Sequence, residues 1–407
     1  MKKIDLKESR FFKYYLFSSI YFAFGLNAVF LSLILPLYLL KVEISPELIT
    51  IVISIMVLPM YIKFVWGGII DYFIRFGRKP FIVYGGLLTV LCLIILSFMD
   101  PGIALIPFII IELFSWIGIG FLTISLDALV ISTTVEKERG KINGAMYAAQ
   151  NGGLAGGALL LPFIAKTLGY NMVFLITGFI ILPIVLIPLI LQEKKIEKKP
   201  QKVSAILIQE FKKKPIIVMS IFAVLVMMSS GIILLIAPIW MNLGLNLDIA
   251  QIGFVTMLFT IAIAIGSIFG GIFADKFGRK NTLYLLILSS IFFTVLMIFS
   301  DSWEYFTLIY CIVGFLQGGY TSPICAMFMD VTNPRIGASQ YSIFISLFNF
   351  GIMIGMTVSG SLYVMLGISR VFLYSAWVFG PVLLILYFIK LKKLSYFNSI
   401  TYDKCSL

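Results

Sequence analysis

The chain of 407 residues is 60% hydrophobic and 12% charged, with a mean hydropathy of +1.06. No soluble domain keeps a solvated surface on so few charges, so the chain is expected to lie in a bilayer. A net charge of +12 comes with no histidine and only 4 cysteines, which leaves little for a metal site, a disulfide framework or a cofactor.

A membrane-crossing helix needs roughly 20 apolar residues. Such stretches recur near 14–40, 47–70, 80–99, 102–131, 143–168, 170–191, 215–240, 250–274, 281–300, 306–329, 338–363 and 371–390. They predict an all-α integral membrane protein of twelve transmembrane helices in two six-helix bundles, 1–191 and 215–407, joined by a cytoplasmic linker at 192–214. Each stretch is too long and too rich in Ile, Leu and Phe for a barrel strand. Lys2, Lys3, Lys7, Arg10 and Lys13 precede an apolar run longer than a signal peptide's core, without a small-x-small cleavage site. The first span is therefore expected to be retained. Of the four cysteines, Cys92, Cys311, Cys325 and Cys405, the middle two share one predicted helix fourteen residues apart, or ~21 Å, beyond disulfide reach.

Orientation follows from Lys and Arg. The segments that share a side when both termini are inside hold 27 of the 31 basic residues, leaving Lys41, Lys166 and Arg370 opposite and Lys63 within a span. The positive-inside rule then makes the chain a multi-pass protein of the cytoplasmic membrane with both termini cytoplasmic. The positive charge reflects topology and attraction to anionic lipid; a bilayer, a small-molecule substrate and a monomeric state are expected, with no nucleic acid. Within the linker, Val203–Phe211 is amphipathic and reads either as a helix on the anionic leaflet or as part of a solvated tether.

Two loops about two hundred residues apart carry the same short pattern: Gly67-Gly68, Asp71 and Gly77-Arg78-Lys79, then Gly271, Asp275 and Gly278-Arg279-Lys280. Glycines at a span end let helices approach closely, an aspartate there pairs across a domain interface, and the Arg and Lys hold the loop at phosphate headgroups. Repeated six-span units with a charged hinge at the same place suit two halves that rock about a central site. Six steps separate Asp71 from Gly77, against three from Asp275 to Gly278.

The second copy resembles the signature loop of the major facilitator superfamily position for position. The first copy, read with its span as Pro59-x-x-x-Lys63-x-x-Trp66-x-x-x-x-Asp71, resembles the muropeptide permease and acetyl-CoA transporter branch of that superfamily. Asp127-Ala128, Glu138-Arg139-Gly140 and Gln150 extend the likeness. Leu122-Thr123 stands where the branch has Gln-Asp, and Gly67-Gly68 where it has Ala-Pro. The resemblance implies a transporter fold whose first, fourth, seventh and tenth helices line a cavity. Arg139 and Arg335, in the corresponding later loops of the two halves, join the gating set.

Charges inside spans are costly and mark function or pairing. Lys63, eight residues before Asp71, and Asp127, seven before Thr134, both sit ~12 Å inside the cytoplasmic boundary. A Lys63–Asp127 contact between the second and fourth helices is expected, either as a gate or substrate contact or as a structural pair. Glu112, near the midplane of the fourth span, is the leading proton-coupling residue, with Asp127 second. Asn27, Lys63, Gln150, Asn151, Gln317 and Asn349 form the candidate substrate site, the amides each offering donor and acceptor to a neutral or zwitterionic solute; interhelical hydrogen bonding is the plain alternative. Tyr38, Tyr147 and Trp240 are candidate walls or interfacial aromatics.

Gly152-Gly153-Leu154-Ala155-Gly156-Gly157 resembles the antiporter motif of drug/proton exchangers, with Gly153 in place of its proline, and equally suits close helix packing. Gly355, Ser359 and Gly360 give the second half a similar stretch. The sequence thus points to a proton-coupled secondary transporter of a small organic solute rather than an enzyme, for which no convergent nucleophile or acid pair is evident. An efflux antiporter and a non-transporting sensor of transporter fold are the alternatives.

Overall fold

The computed structural model describes residues 9–133, 136–192, 203–333 and 337–389. Helices dominate because a chain in hydrocarbon must satisfy its backbone polar groups within each segment. The first, α1, runs through Arg10–Val29, a π turn Phe30–Ile34 and Leu35–Lys41. Pro36 has no N–H to offer the usual carbonyl, and beside it the ladder shifts register, with the Leu35 N–H donating to Phe30 O. Next, α2 comprises Pro46–Tyr61 and Lys63–Tyr72, broken at Ile62. There follow α3 (Lys79–Leu96), α4 (Leu105–Thr133), α5 (Glu136–Leu168) and α6 (Tyr170–Leu186). The second half contributes α7 (Lys214–Leu243), α8 (Ile249–Phe277), α9 (Arg279–Leu296), α10 (Trp303–Val331), α11 (Gly337–Leu366) and α12 (Ile368–Trp377 with Phe379–Phe388).

Local sequence explains the ends. Ser9, Ser45 and Ser302 accept the N–H groups of Phe12, Leu48 and Tyr305 at 3.3, 3.4 and 3.3 Å, each capping a helix start. Among the described residues, eleven helices are long and apolar enough to cross a membrane. The predicted fifth stretch, 143–168, lies in α5, an unbroken helix whose Gly-, Asn- and Gln-containing middle keeps it outside that eleven. Large apolar side chains such as Phe98, Ile268, Phe292 and Leu384 are exposed, which suits contact with lipid chains.

The chain packs as two compact units that cut across the sequence halves. The first comprises 1–198, 234–261 and 356–365, and the second 199–233, 262–355 and 366–407. In the first, α1 lies along α5, while α3 packs on α4 and α6. Segments from the second half join it where glycines allow backbone contact: a side chain at Gly253 would meet Ala158 O and Pro162, and one at Gly360 would meet Thr50. The same unit contains an ion pair between Lys166 and Asp248 at 2.6 Å.

That pair gives a testable pH dependence. The Lys166 hydrogen bond, followed by the Gln251 N–H, holds the Asp248 carboxyl below the usual carboxylate range. A depressed pKa means its stabilisation is present above the ordinary carboxylate value and is lost as pH falls through the depressed one. With side-chain exposures of 52% and 45%, the pair is worth at most ~1 kcal/mol. Asp248→Asn should therefore lower the unfolding midpoint slightly at neutral pH and leave it unchanged in acid. A large loss at neutral pH would give the pair a weight that its exposure does not support.

In the second unit, α9 packs on α10 and α12 around a core that includes Phe222, Phe328, Phe344 and Phe379. The segment Val203–Phe211 is helical and docked on protein: Glu210 is 5% exposed and accepts from Asn333 Nδ2 at 2.7 Å, and Phe211 lies 5.7 Å from Phe344. The C-terminal end of the amphipathic piece thus rests on protein through Glu210 and Phe211, while Ile208 is exposed. Phe211 packs against the second-half core, and the side chains of 203–206 and all of residues 193–202 lie outside the described residues.

Candidate functional site

Four helices of the first half bring charges together inside the spans. Tyr21 of α1 donates its hydroxyl to Asp127 Oδ1 of α4 at 2.6 Å. Lys63 of α2 is close enough to interact electrostatically with Asp127, and its ammonium lies 5.5 Å from the ring centroid of Phe24. Tyr147 of α5 stands edge-on to Tyr21 at 6.0 Å and is 56% exposed. Lys63 and Asp127 are half-buried. The expected Lys63–Asp127 contact is not made as an ion pair among the described residues: the two charges act on each other only at longer range, and Tyr21, which sequence reasoning missed, holds the carboxylate. One more tyrosine in an aromatic-rich first span carries no signal of its own.

The pattern Pro59-x-x-x-Lys63-x-x-Trp66 now has a local explanation. The chain breaks at Ile62, and the Trp66 indole N–H spans the break to Pro59 O at 2.7 Å. The indole also rests where a side chain on Gly120 of α4 would fall, and it lies 5.5 Å from Phe121. Lys63 thus projects from a fixed interruption rather than from a regular turn.

Both signature loops turn in the same way. Gly77 and Gly278 have φ of 84° and 83°, a left-handed conformation that glycine adopts freely. Lys79 Nζ donates to Leu189 O and Leu191 O at 2.7 and 3.1 Å, and Lys280 Nζ to Tyr387 O and Ile389 O at 2.8 and 3.2 Å. Each lysine thus caps the carbonyl end of the sixth span of its own half, a favourable place for a cation. This corrects the expectation that these lysines are committed to headgroups. Arg279 donates to Ala326 O at 2.8 Å and pairs with Asp330, so it closes on α10. Gly67 lies on α2 with room beside it, Gly271 lies on α8 where a side chain would press on Ser322 Oγ, and Arg78 is the residue before α3. The side chains of Asp71, Asp275 and Arg139, and all of Arg335, lie outside the described residues.

The remaining sequence candidates are distributed. Glu112 has no exposed surface; Trp116 Nε1 donates to its Oε1 at 3.0 Å, and its Oε2 has no partner among the described residues. Asn27 is equally enclosed, with both amide atoms unpartnered, and the buried Gln150 Oε1 also lacks a partner. Asn151 is half-buried on α5, while Gln317 of α10 and Asn349 of α11 are half-buried in the second unit. Tyr38 belongs to an aromatic group: it stacks on Tyr170 at 4.7 Å and donates to Asn171 Oδ1 at 2.8 Å. The Trp240 ring covers Gly244, with its indole N–H unpartnered among the described residues.

The glycine run of α5 divides by face. Side chains on Gly153 or Gly157 would meet Phe22, Leu26 or Val29 of α1, whereas Gly152 and Gly156 have open space. From the other side, a side chain at Gly25 would meet Gln150 O.

Comparison with known proteins agrees with this architecture. Solute carrier family 22 member 21 of Mus musculus is 35% identical over 104 residues, which is 24% of this chain and 18% of that protein. Organic cation/carnitine transporter 2 of Rattus norvegicus is 39% identical over 62 residues, 15% of this chain and 11% of that protein. The chain thus spans a small part of the curated relatives it matches. The structure of the nucleoside transporter NupG superposes with a TM-score of 0.72 at 15% identity, covering 97% of this chain and 99% of that chain. A bacterial homolog of the human lysosomal transporter Spinster gives 0.69 at 14% identity, covering 97% and 98%. Those likenesses are of fold. The sequence profile of the Major Facilitator Superfamily matches residues 17–227 and again 219–399, and with both halves so matched the chain belongs to that superfamily.

Proposed function

We propose that this protein is a secondary active transporter that carries a small neutral or zwitterionic organic solute across the cytoplasmic membrane by alternating access, coupled to protons. The carrying observation is the group of Tyr21, Lys63, Asp127 and Tyr147, drawn from four helices and running from the buried Tyr21 through the half-buried charges to the exposed Tyr147. An ammonium and a carboxylate held beside aromatic rings are complementary to a solute bearing both charges, and the carboxylate is a proton acceptor. The name of one relative, organic cation/carnitine transporter 2, supports a solute with a cationic group. Gln150 and Asn151 of the same bundle are proposed to complete the polar contacts. The signature loops, with Asp71, Asp275, Arg139 and Arg335, are proposed to control the rocking of the halves. The likeness of the second span to the muropeptide permease and acetyl-CoA transporter branch is a proposal of descent and names no substrate.

Counterflow in sealed liposomes tests the reading directly. A panel of zwitterions, neutral sugars and organic cations should contain at least one solute whose accumulation follows an imposed proton gradient and collapses with a protonophore. No flux across the whole panel would favour a sensor. The orientation is tested separately: a cysteine replacing Lys199 should resist impermeant thiol reagents in intact cells and react once the membrane is opened. Labelling in intact cells would invert the topology.

A further inference from the structure

We propose that Asn27, Glu112 and Thr177 form an enclosed site for one small monovalent cation, sodium, in the first-half bundle. Three aromatic rings set the geometry. Phe174 of α6 lies 4.5 Å from Phe30 of α1 and 5.7 Å from Phe108 of α4, so the three helices meet at one level. Because α1 runs opposite to α4 and α6 across the membrane, the same direction along the bundle is backward on α1 and forward on the others. One turn from the rings in that direction stand Asn27, Glu112 and Thr177, at spacings of three or four residues that share a helix face.

All three side chains have no exposed surface. Asn27 Oδ1 and Nδ2, Glu112 Oε2 and Thr177 Oγ1 have no hydrogen-bond partner among the described residues, and neither has Ser115 Oγ one turn further along α4. Buried polar atoms are almost always satisfied, so such a concentration at one level calls for a ligand. The groups facing Glu112 are the Trp116 indole, which binds Oε1, and the Cys92 thiol of α3. No described lysine or arginine acts on it.

The charge decides between ligands. An isolated carboxylate in this setting costs far more than a neutral polar group, so an ionised Glu112 requires a positive partner. Water can bridge the Asn27 amide but brings no charge. The available oxygens, one carboxylate, one amide carbonyl and two hydroxyls, are hard donors of the kind that bind hard cations, and a single negative charge matches a monovalent one. A proton on Glu112 neutralises the same charge, so proton and sodium compete for the site.

The test uses the full-length protein in detergent and involves no flux, so it stands apart from the transport reading. Replacing choline or potassium chloride by sodium chloride at constant ionic strength should raise the unfolding midpoint saturably by a few degrees at alkaline pH. The rise should shrink on acidification and vanish in Glu112→Gln. Thr177→Val, close in shape, should weaken the apparent sodium affinity about tenfold, the loss of roughly 1.4 kcal/mol of binding. A midpoint indifferent to sodium at every pH overturns the site, as does a sodium response retained in Glu112→Gln. If Glu112→Gln does not fold, an unchanged sodium affinity in Thr177→Val overturns it.

Discussion

Neutralising either Lys63 or Asp127 is expected to slow transport at least about tenfold, an effect of roughly 1.4 kcal/mol on the barrier. Lys63→Met leaves the Asp127 carboxylate with only the Tyr21 hydroxyl, and Asp127→Leu leaves an ammonium within a span over the Phe24 ring. Removing one member of a buried pair typically costs about 3–5 kcal/mol, and half-burial reduces that figure here. Loss of folded protein would therefore confuse the single variants. The double variant Lys63→Met/Asp127→Leu resolves it, since replacing both charges by apolar groups is often neutral for stability. It should recover the yield and thermal midpoint of the wild type while remaining inactive in counterflow. Wild-type transport by the double variant would make the pair structural and remove it from the proposed site. Tyr21→Phe removes a single hydrogen bond and should lower transport less than either charge removal.

Why this pair was legible in the sequence is a matter of rarity. Few charges sit inside spans, and two of opposite sign at similar depth on helices that pack together leave few other arrangements. The hinge glycines were legible for a similar reason, because Gly-Arg-Lys recurs between long apolar runs and a left-handed turn favours glycine. The roles of Lys79 and Lys280 were not. Their carbonyl partners lie 107 to 112 residues away, at the ends of other helices, and a backbone acceptor leaves no trace in residue type. Glu112 was legible as an intramembrane acid but not as an enclosed one: hydropathy gives depth along a helix, whereas the face it presents depends on packing against α1, α3 and α6. The linker helix shows the same limit, since amphipathicity reveals an apolar face without saying whether lipid or protein covers it.

The α5 glycines separate helix packing from an antiporter role, because the two readings predict opposite patterns. If the run serves packing, Gly153→Ala and Gly25→Ala should be strongly destabilising, for each new methyl would press on a backbone carbonyl, Phe22 O or Gln150 O, that cannot swing aside as a side chain can. Overpacking of this kind typically costs about 1–3 kcal/mol, and two long helices forced apart along their contact place these variants at the upper end. Gly157→Ala should be milder, since it meets side chains of Leu26 and Val29. Gly152→Ala and Gly156→Ala face open space, and exchanging glycine for alanine within a helix should stabilise by up to about 1 kcal/mol. Thermal unfolding and counterflow on the five variants should therefore rise and fall together. A Gly152→Ala or Gly156→Ala protein that is as stable as wild type yet fails to transport breaks that parallel. It would return the run to a direct part in solute movement, with the open glycines as the place where the solute or a moving helix passes.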